Sequence, residues 1–184
     1  MTEREKMLAG ELYNPLDEEL LALRLKARLI TGKFNSSSAD ELEKRTELIR
    51  KLFGSTGEQL LVEPTFQCDY GFNIFVGNNF NMNFNCVILD VAEVTIGENC
   101  MIAPQVGIYT ATHPVDAAKR NNGLEYAKPV RIGHNCWIGG HATINPGVSL
   151  GNNVVVASGA VVTKSFGNNV VIGGNPAQVI LKCQ

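Results

Sequence analysis

The sequence predicts a mainly β protein, a solenoid of stacked coils with helices confined to its N-terminal third. The first observation is a repeat: an aliphatic residue recurs at every sixth position from Ile132 to Val162 without a slip. An α-helix has a period near 3.6 residues and an ordinary strand a period near 2, so neither accounts for a step of six. A fixed six-residue repeat is typical of a β-solenoid.

Each six-residue piece corresponds to one short strand and a turn, and three pieces complete one triangular coil. The repeated residue points inward, where its copies in successive coils stack on one another. A second series, two positions earlier, keeps the same step and shares the interior. The predicted inward positions are Ile132, Ile138, Ile144, Leu150, Val156 and Val162, with Val130, Cys136, Ala142, Val148, Val154 and Ala160.

The second observation is the distribution of charge along the chain. The first 60 residues carry 21 of the 34 charged side chains, whereas the other 124 residues carry only 13. This concentration predicts exposed amphipathic helices, so residues 1–60 are interpreted as a helical cap. From about Leu61 the chain is rich in β-branched residues, Gly and Asn, and residues 61–184 are predicted to form the solenoid.

Three helices are expected within the cap. The first is short and spans residues 3–9, and the second covers residues 17–31 and ends at Gly32. The third follows the capping-box pattern of residues 38–41, in which a serine precedes a glutamate by three positions, and ends before Gly54.

The six-residue step is interrupted in two places. Its phase slips by two between Val76, which looks like part of the first solenoid turn, and Ile96, so one irregular coil is expected there. Residues 109–129 then abandon the pattern, although Ile108 and Ile132 remain in phase on either side. We interpret 109–129 as an excursion loop, and long loops in compact domains are usually functional.

Composition excludes several classes of function. A net charge of −2 gives no electrostatic case for nucleic acid or an anionic membrane. No stretch approaches the roughly 18 apolar residues of a transmembrane helix, and the start of the chain has no signal-peptide pattern. The cysteines are Cys68, Cys86, Cys100, Cys136 and Cys183, with no CxxC pair, which indicates a reduced, cytoplasmic protein. Cys100 and Cys136 lie six hexapeptides apart and are expected to be buried thiols.

The candidate for chemistry is His113, in the excursion loop. Histidine has an unperturbed pKa near neutrality, which suits general-base catalysis. Asp116, Glu125 or a backbone carbonyl could fix its tautomer, and the alternative is an inert surface histidine. The remaining histidines, His134 and His141, are seven residues apart and do not stack, so no metal site is predicted.

Several motifs resemble the hexapeptide-repeat sugar O-acetyltransferases, most closely the maltose O-acetyltransferases and then the galactoside and nodulation acetyltransferases. The resemblance covers nearly the whole chain. Its most specific parts are the helical leader and the loop with Thr-His-Pro. The similar segments are EKMLAGELY at 5–13, EPTFQCDYGFNIF at 63–75, YTATHP at 109–114, WIGG at 137–140 and GGNPA at 173–177.

This resemblance implies a left-handed parallel β-helix, a homotrimer, and acetyl transfer from acetyl-CoA to the hydroxyl of a maltose- or glucose-type sugar. It implies direct transfer with His113 as general base, because a sugar hydroxyl is a poor nucleophile until its proton is removed. The backbone N–H of Gly140 is the candidate donor for the oxyanion of the tetrahedral intermediate. No metal is required.

The resemblance also assigns binding residues by motif. The acceptor site is expected to contain Asp17, Arg24, Asp69 and Asn83, with Glu125 from the excursion loop. The acetyl-CoA site is expected to contain Trp137, Ser158, Thr163, Lys164 and Lys182. The family often has arginine where this chain has Gln178 and a second basic residue where it has Leu181. Two alternatives are open: either the nucleotide 3′-phosphate is bound less tightly here, or the adjacent Lys182 binds it.

Three other functions remain open at this stage. The chain could be a non-catalytic solenoid that binds a partner or ligand, with His113 incidental, or an acetyltransferase with a non-sugar acceptor. A metal-dependent hydratase on the same fold would need ligand histidines at a spacing that this chain lacks.

Overall fold

The computed structural model describes residues 1–182, and Cys183 lies outside the described residues. The helices are α1 (Glu3–Ala9), α2 (Glu18–Asn35), α3 (Leu42–Leu52) and α4 (Ala117–Asn121). The strands are β1 (Leu60–Val62), β2 (Phe66–Cys68), β3 (Ile74–Val76), β4 (Phe80–Met82), β5 (Cys86–Leu89), β6 (Val94–Ile96), β7 (Met101–Ile102), β8 (Gly107–Tyr109), β9 (Ala111–Thr112), β10 (Tyr126–Ala127), β11 (Val130–Ile132), β12 (Trp137–Ile138), β13 (Thr143–Ile144), β14 (Ser149–Leu150), β15 (Val154–Val156), β16 (Val161–Val162), β17 (Val170–Gly174) and β18 (Ala177–Lys182).

The strands form three parallel sheets, which are the three faces of a prism. One face has the order β1-β4-β7-β12-β15-β17-β18, the second β14-β11-β6-β3 and the third β16-β13-β8-β5-β2. Consecutive strands of the chain therefore lie on different faces, and each strand pairs with its equivalent in the next coil. Only β18 runs antiparallel to its neighbour within these faces. The predicted fold class, a parallel β-helix with a helical cap and one excursion, is confirmed.

The inward positions expected from the repeat are the core of the prism. All twelve are at most 4% exposed, and Ile138, Ile144 and Val162 are fully buried. Cys100 and Cys136 are 0% and 1% exposed, so both predicted buried thiols are confirmed. The thiol of Cys100 donates to the carbonyl of Gly133 in the next coil over 3.1 Å.

The early coils begin at β1 and carry the expected slip in phase. Strands β1, β2 and β3 form one coil that pairs with the next, and Val76 ends this first coil. The two-residue slip is confirmed, since Val76 pairs with Ile96 across a step two residues longer than the step from Ile132 to Leu150. The first coils are therefore larger than the later ones.

The first helix of the cap has the predicted bounds. The hydroxyl of Thr2 accepts from the N–H of Glu5 over 3.1 Å, and the Glu5 carboxylate accepts from the N–H of Thr2 over 2.8 Å. This reciprocal pair is a capping box. Gly10 ends the helix in the left-handed conformation, with φ of 74°.

The predicted end of the second helix at Gly32 is wrong, because α2 continues to Asn35. The extra turn buries Phe34 completely and places Asn35 against β2. The amide of Asn35 donates to the carbonyl of Phe66 over 2.9 Å and accepts from its N–H over 2.8 Å, as a neighbouring strand would. The third helix also begins later than the capping-box pattern indicated, at Leu42, because the Ser38 hydroxyl donates to Asp40 instead of capping the helix.

One corner of the prism carries a ladder of polar side chains in which His134 takes a place otherwise held by asparagine. Asn152 accepts from the N–H of His134 over 2.8 Å, and Asn168 accepts from the N–H of Asn152 over 2.7 Å. The imidazole Nδ1 of His134 accepts in the same way from the N–H of Glu98 over 3.1 Å. His134 therefore has a structural role between coils.

This arrangement predicts that His134→Asn preserves stability, because an amide oxygen can replace Nδ1. His134→Ala should lower the free energy of unfolding by about 1 kcal/mol, the net value of one hydrogen bond. Urea denaturation of both variants checks this. Equal stability of the alanine and asparagine variants would show that the contact with Glu98 does not contribute.

Over residues 1–182, no helix has both the length and the apolar character that crossing a membrane requires.

Candidate active site

The irregular connections of three successive coils lie at the same corner of the prism. They are residues 69–73 after β2, residues 90–93 after β5 and residues 110–129 after β8, and these three strands are neighbours in one sheet. The coils therefore widen together where the cap packs. The residues by which these coils are longer than the later, regular coils all lie at this one corner.

Asp90 holds two of these connections together. Its carboxylate is completely buried and accepts from the N–H groups of Asp69 over 3.0 Å, Tyr70 over 2.9 Å and Asn73 over 3.3 Å. Burial raises the pKa of Asp90 to about 7, while the N–H groups of Tyr70 and Asn73 act in the opposite direction. Asp90 thus fixes the turn that carries Asp69.

The predicted loop at 109–129 is an ordered element, not an irregular one. Strands β9 and β10 pair antiparallel, with Thr112 opposite Tyr126, and α4 lies between them. Asp116 caps α4 by accepting from the N–H of Lys119 over 2.9 Å. The guanidinium of Arg120 donates back to the carbonyls before the helix. The segment is a hairpin with a helical tip, which we call the excursion hairpin.

His113 follows β9 in the excursion hairpin, with its imidazole half exposed. Its Nδ1 lies 3.3 Å from the carbonyl oxygen of Leu124. Because a carbonyl can only accept, this contact assigns the proton of the neutral imidazole to Nδ1, and in that tautomer Nε2 carries the lone pair. Of the groups considered for fixing the tautomer, the carbonyl of Leu124 is the one that does so, while Asp116 serves as a helix cap.

The Nε2 atom of His113 faces the carboxylate of Glu125. The distance from Nε2 to Oε2 is 3.8 Å, which is too long for a hydrogen bond and close enough for a strong interaction with an imidazolium. Glu125 is only 12% exposed. Its other oxygen, Oε1, accepts from the hydroxyl of Tyr13, a residue of the cap.

Further charged groups surround this pair. Burial, followed by the negative charge of Glu125, raises the pKa of Asp69, whereas the positive charges of Arg24 and Arg28 lower it. The guanidinium of Arg24 also lies 5.8 Å from the ring centre of Tyr70 and donates to the carbonyl of Pro15. The predicted residues Asp69, Arg24 and Glu125 therefore belong to one partly buried cluster.

Two other predicted acceptor residues have local roles in the structure. Asp17 is the N-cap of α2, where one carboxylate oxygen accepts from the N–H groups of Glu19 and Leu20. Asn83 follows β4, and its side-chain oxygen accepts from the N–H of Phe84 over 2.8 Å. Among residues 1–182, neither side chain hydrogen-bonds to His113.

The residues predicted to bind acetyl-CoA lie on the later coils. Trp137 is 51% exposed on the outer side of β12, next to Met101 in the adjacent strand. Lys164 donates from Nζ to the side-chain oxygen of Gln178 over 2.8 Å and lies 5.5 Å above the ring of Phe166. Ser158 and Thr163 are exposed at turns, and Lys182 is exposed at the end of β18.

Gly140 lies at the turn after β12. Its carbonyl accepts from the N–H of Gly159 over 2.8 Å, but within the described part of the chain its own N–H has no acceptor. None of the predicted acetyl-CoA residues hydrogen-bonds to His113 or Glu125 in residues 1–182. One chain thus holds two separate groups of predicted site residues.

Sequence reasoning missed two residues of the site. Tyr13 was noted only as the last residue of a motif, and Asp90 was not singled out. Both act through partners far away in the chain, so no local pattern marks them. Among residues 1–182, no group of three His, Cys, Asp or Glu side chains is arranged to hold a metal ion.

A parallel β-helix with a helical cap and a histidine-bearing excursion defines the class of hexapeptide-repeat acetyltransferases. Two family models match the chain: the maltose acetyltransferase hexapeptide capping motif over residues 6–57, and the hexapeptide repeat of succinyl-transferase over residues 129–164. The chain belongs to the maltose-acetyltransferase family of hexapeptide-repeat enzymes, as the motifs predicted.

Three solved structures illustrate the similarity. A maltose O-acetyltransferase from Clostridium difficile 630 is 51% identical, with a TM-score of 0.99, and covers 100% of this chain and 98% of its own. A galactoside acetyltransferase in complex with coenzyme A is 43% identical, with a TM-score of 0.97, and covers 100% of this chain and 92% of its own. A hexapeptide-repeat acetyltransferase from Vibrio cholerae O1 biovar eltor, complexed with acetyl coenzyme A, is 35% identical, with a TM-score of 0.90, and covers 100% of both chains.

Proposed function

We propose that this protein transfers the acetyl group of acetyl-CoA directly to a hydroxyl of a small sugar of the maltose or glucose type, with His113 as general base. The relatives' names support the donor and the class of acceptor. The observation that carries the proposal is the geometry of His113. Its Nδ1 contacts the carbonyl of Leu124, while its Nε2 makes no hydrogen bond within residues 1–182 and faces Glu125.

In the proposed reaction, Nε2 of His113 takes the proton of the acceptor hydroxyl as the oxygen attacks the thioester carbonyl carbon. The imidazolium that forms is stabilised by the Glu125 carboxylate at 3.8 Å. The unpartnered N–H of Gly140 donates to the oxyanion of the tetrahedral intermediate. The intermediate then collapses, the bond to sulfur breaks, and the CoA thiolate takes the proton from the imidazolium, which leaves an ester and free CoA.

The binding of both substrates follows the two groups of residues. The acceptor hydroxyls meet Asp69, Arg24 and Asp17, together with Glu125, at the wide corner under the cap of residues 1–60. Asn83, also assigned to the acceptor, follows β4 at a different corner of the prism. The CoA arm and phosphates meet the other group, on the β-helix of residues 61–184. Its members are Trp137, Ser158, Thr163, Lys164 and Lys182.

We propose that the active form is a homotrimer, in which the acetyl-CoA residues of one subunit face His113 of the next. The outer side of the seven-stranded face supports this, because Met101 and Trp137 are adjacent apolar side chains that are more than half exposed. Sedimentation should give a trimer at working concentration. A stable monomer with full activity would contradict the arrangement.

The function is tested by measuring CoA thiol release from acetyl-CoA with maltose, glucose and a galactoside, and by identifying the products by mass spectrometry. Thiol release should require the sugar, and each accepted sugar should gain one acetyl group. A reaction without acceptor and one with a simple alcohol are the controls. Absence of sugar-dependent release would favour a binding module, and acetylation of the simple alcohol alone would favour a non-sugar acceptor.

A further inference from the structure

We propose that Tyr13, a residue of the cap, is a positioning residue of the acetyl-transfer site, where it orients the Glu125 carboxylate toward His113. This inference rests on the proposed function. Tyr13 would link the helical cap to the reacting imidazole and would touch neither substrate.

The backbone fixes Tyr13 against the excursion hairpin. The N–H of Tyr13 donates to the carbonyl of Glu125 over 3.0 Å, and the N–H of Glu125 donates to the carbonyl of Tyr13 over 3.2 Å. This pair is an isolated antiparallel bridge between the α1–α2 connection and the residue that precedes β10. The two residues are therefore held side by side, although 112 positions separate them in the chain.

The side chain of Tyr13 is also held in place, by the packing around it. Tyr13 is completely buried, in a small apolar cluster that includes Met7, Leu20 and Ala127. Two of these residues come from the cap and one from β10. Burial, followed by the hydrogen bond to Glu125 and then by the charge of Glu125, raises the pKa of Tyr13 far above its ordinary value, so the phenol stays protonated and acts as a donor.

The hydroxyl of Tyr13 determines which carboxylate oxygen of Glu125 faces His113. Terminal carboxylate torsions are broad, so an unrestrained Glu125 would sample many orientations. The Tyr13 hydroxyl holds Oε1, and the remaining oxygen, Oε2, lies 3.8 Å from Nε2 of His113. The negative charge is thereby fixed where positive charge develops as the imidazole takes the acceptor proton.

This role predicts an effect on the chemical step rather than on substrate binding. An interaction that strengthens only when the imidazolium forms changes kcat and leaves KM nearly unaltered. Tyr13→Phe keeps the ring and both backbone hydrogen bonds and removes only the hydroxyl. We expect it to lower kcat by about tenfold, the order expected for one charge-assisted hydrogen bond, with KM for the sugar within about twofold.

The control is Tyr126→Phe, which removes a tyrosine hydroxyl from the same hairpin. Among residues 1–182 that hydroxyl makes no hydrogen bond, so kcat should not change. A double-mutant cycle with Glu125→Ala supplies the decisive comparison. If Tyr13 acts through Glu125, then Tyr13→Phe causes no further loss of kcat in the Glu125→Ala background. An equal loss in both backgrounds would overturn the role.

A second readout does not depend on activity. With only three histidines, ¹⁵N-histidine labelling resolves each ring by NMR. Tyr13→Phe should move the Nε2 resonance of His113 and leave His134 and His141 in place, which also shows that the variant is folded. An unmoved His113 resonance would overturn the positioning role. If the resonance moves while His113→Ala remains fully active, the base assignment fails but the coupling from Tyr13 stands.

Discussion

Replacing His113 with alanine is expected to lower kcat for acetyl transfer by about a hundredfold or more, the range for loss of a general base. The variant removes the unprotonated Nε2 and leaves the acceptor hydroxyl with no group to take its proton. The imidazole is half exposed, and its one hydrogen bond to residues 1–182 is with the carbonyl of Leu124, so the thermal midpoint should remain close to that of the parent. Thiol release with acetyl-CoA and sugar measures the loss.

The other two histidines supply matched controls. His134→Asn and His141→Asn change an imidazole elsewhere on the β-helix, at exposed corners, and should keep nearly full activity. His141 has a left-handed backbone, with φ of 59°, which asparagine tolerates well. Activity of His113→Ala within about threefold of the parent would remove the general base from the account.

The largest effect on stability is expected for Gly133→Ala. Gly133 belongs to a column of glycines at one corner and, except in the last coil, each lies directly beneath the corner of the next coil. An added Cβ on Gly133 would lie 2.5 Å from the carbonyl oxygen of Gly151 and 2.6 Å from its carbonyl carbon. Both atoms are backbone and cannot rotate away. Overpacking typically lowers the free energy of unfolding by about 1–3 kcal/mol, and a clash with backbone atoms is expected at the upper end of that range, about 3 kcal/mol.

Gly167 provides the control within the same column. It occupies the equivalent place in the last coil, where no further coil stacks, and a Cβ there would meet nothing within 4 Å. Gly167→Ala should therefore be neutral or slightly stabilising, because alanine restricts the unfolded chain. Equal destabilisation by the two substitutions would mean that the stacking of coils at this corner is not as described.

The interior of the prism was predictable because its pattern is local. The step of six places the same kind of residue at the same corner of every coil, so inward positions such as Ile138 and Val162 could be assigned without knowing the partner strands. The glycines and asparagines at the corners also recur from coil to coil, so their positions were predictable for the same reason. Burial of Cys100 and Cys136 was predictable for this reason as well.

The wide corner under the cap was less predictable because its contacts are not periodic. Asp90 fixes the turn that begins at Asp69, about one coil earlier, and Tyr13 reaches Glu125 from the other end of the chain. A local rule failed at the end of α2 for a related reason. The cap helix passes Gly32 because Phe34 and Asn35 gain tertiary contacts with the β-helix, and these outweigh the tendency of glycine to end a helix.

The most direct test of the account is a crystal structure with CoA and a sugar acceptor bound together. We expect the reacting hydroxyl of the sugar to lie roughly 2.6–3.2 Å from Nε2 of His113, with the CoA sulfur nearby and the N–H of Gly140 directed at the acetyl position. An acceptor bound with no hydroxyl near that nitrogen, while transfer proceeds in solution, would contradict the central claim.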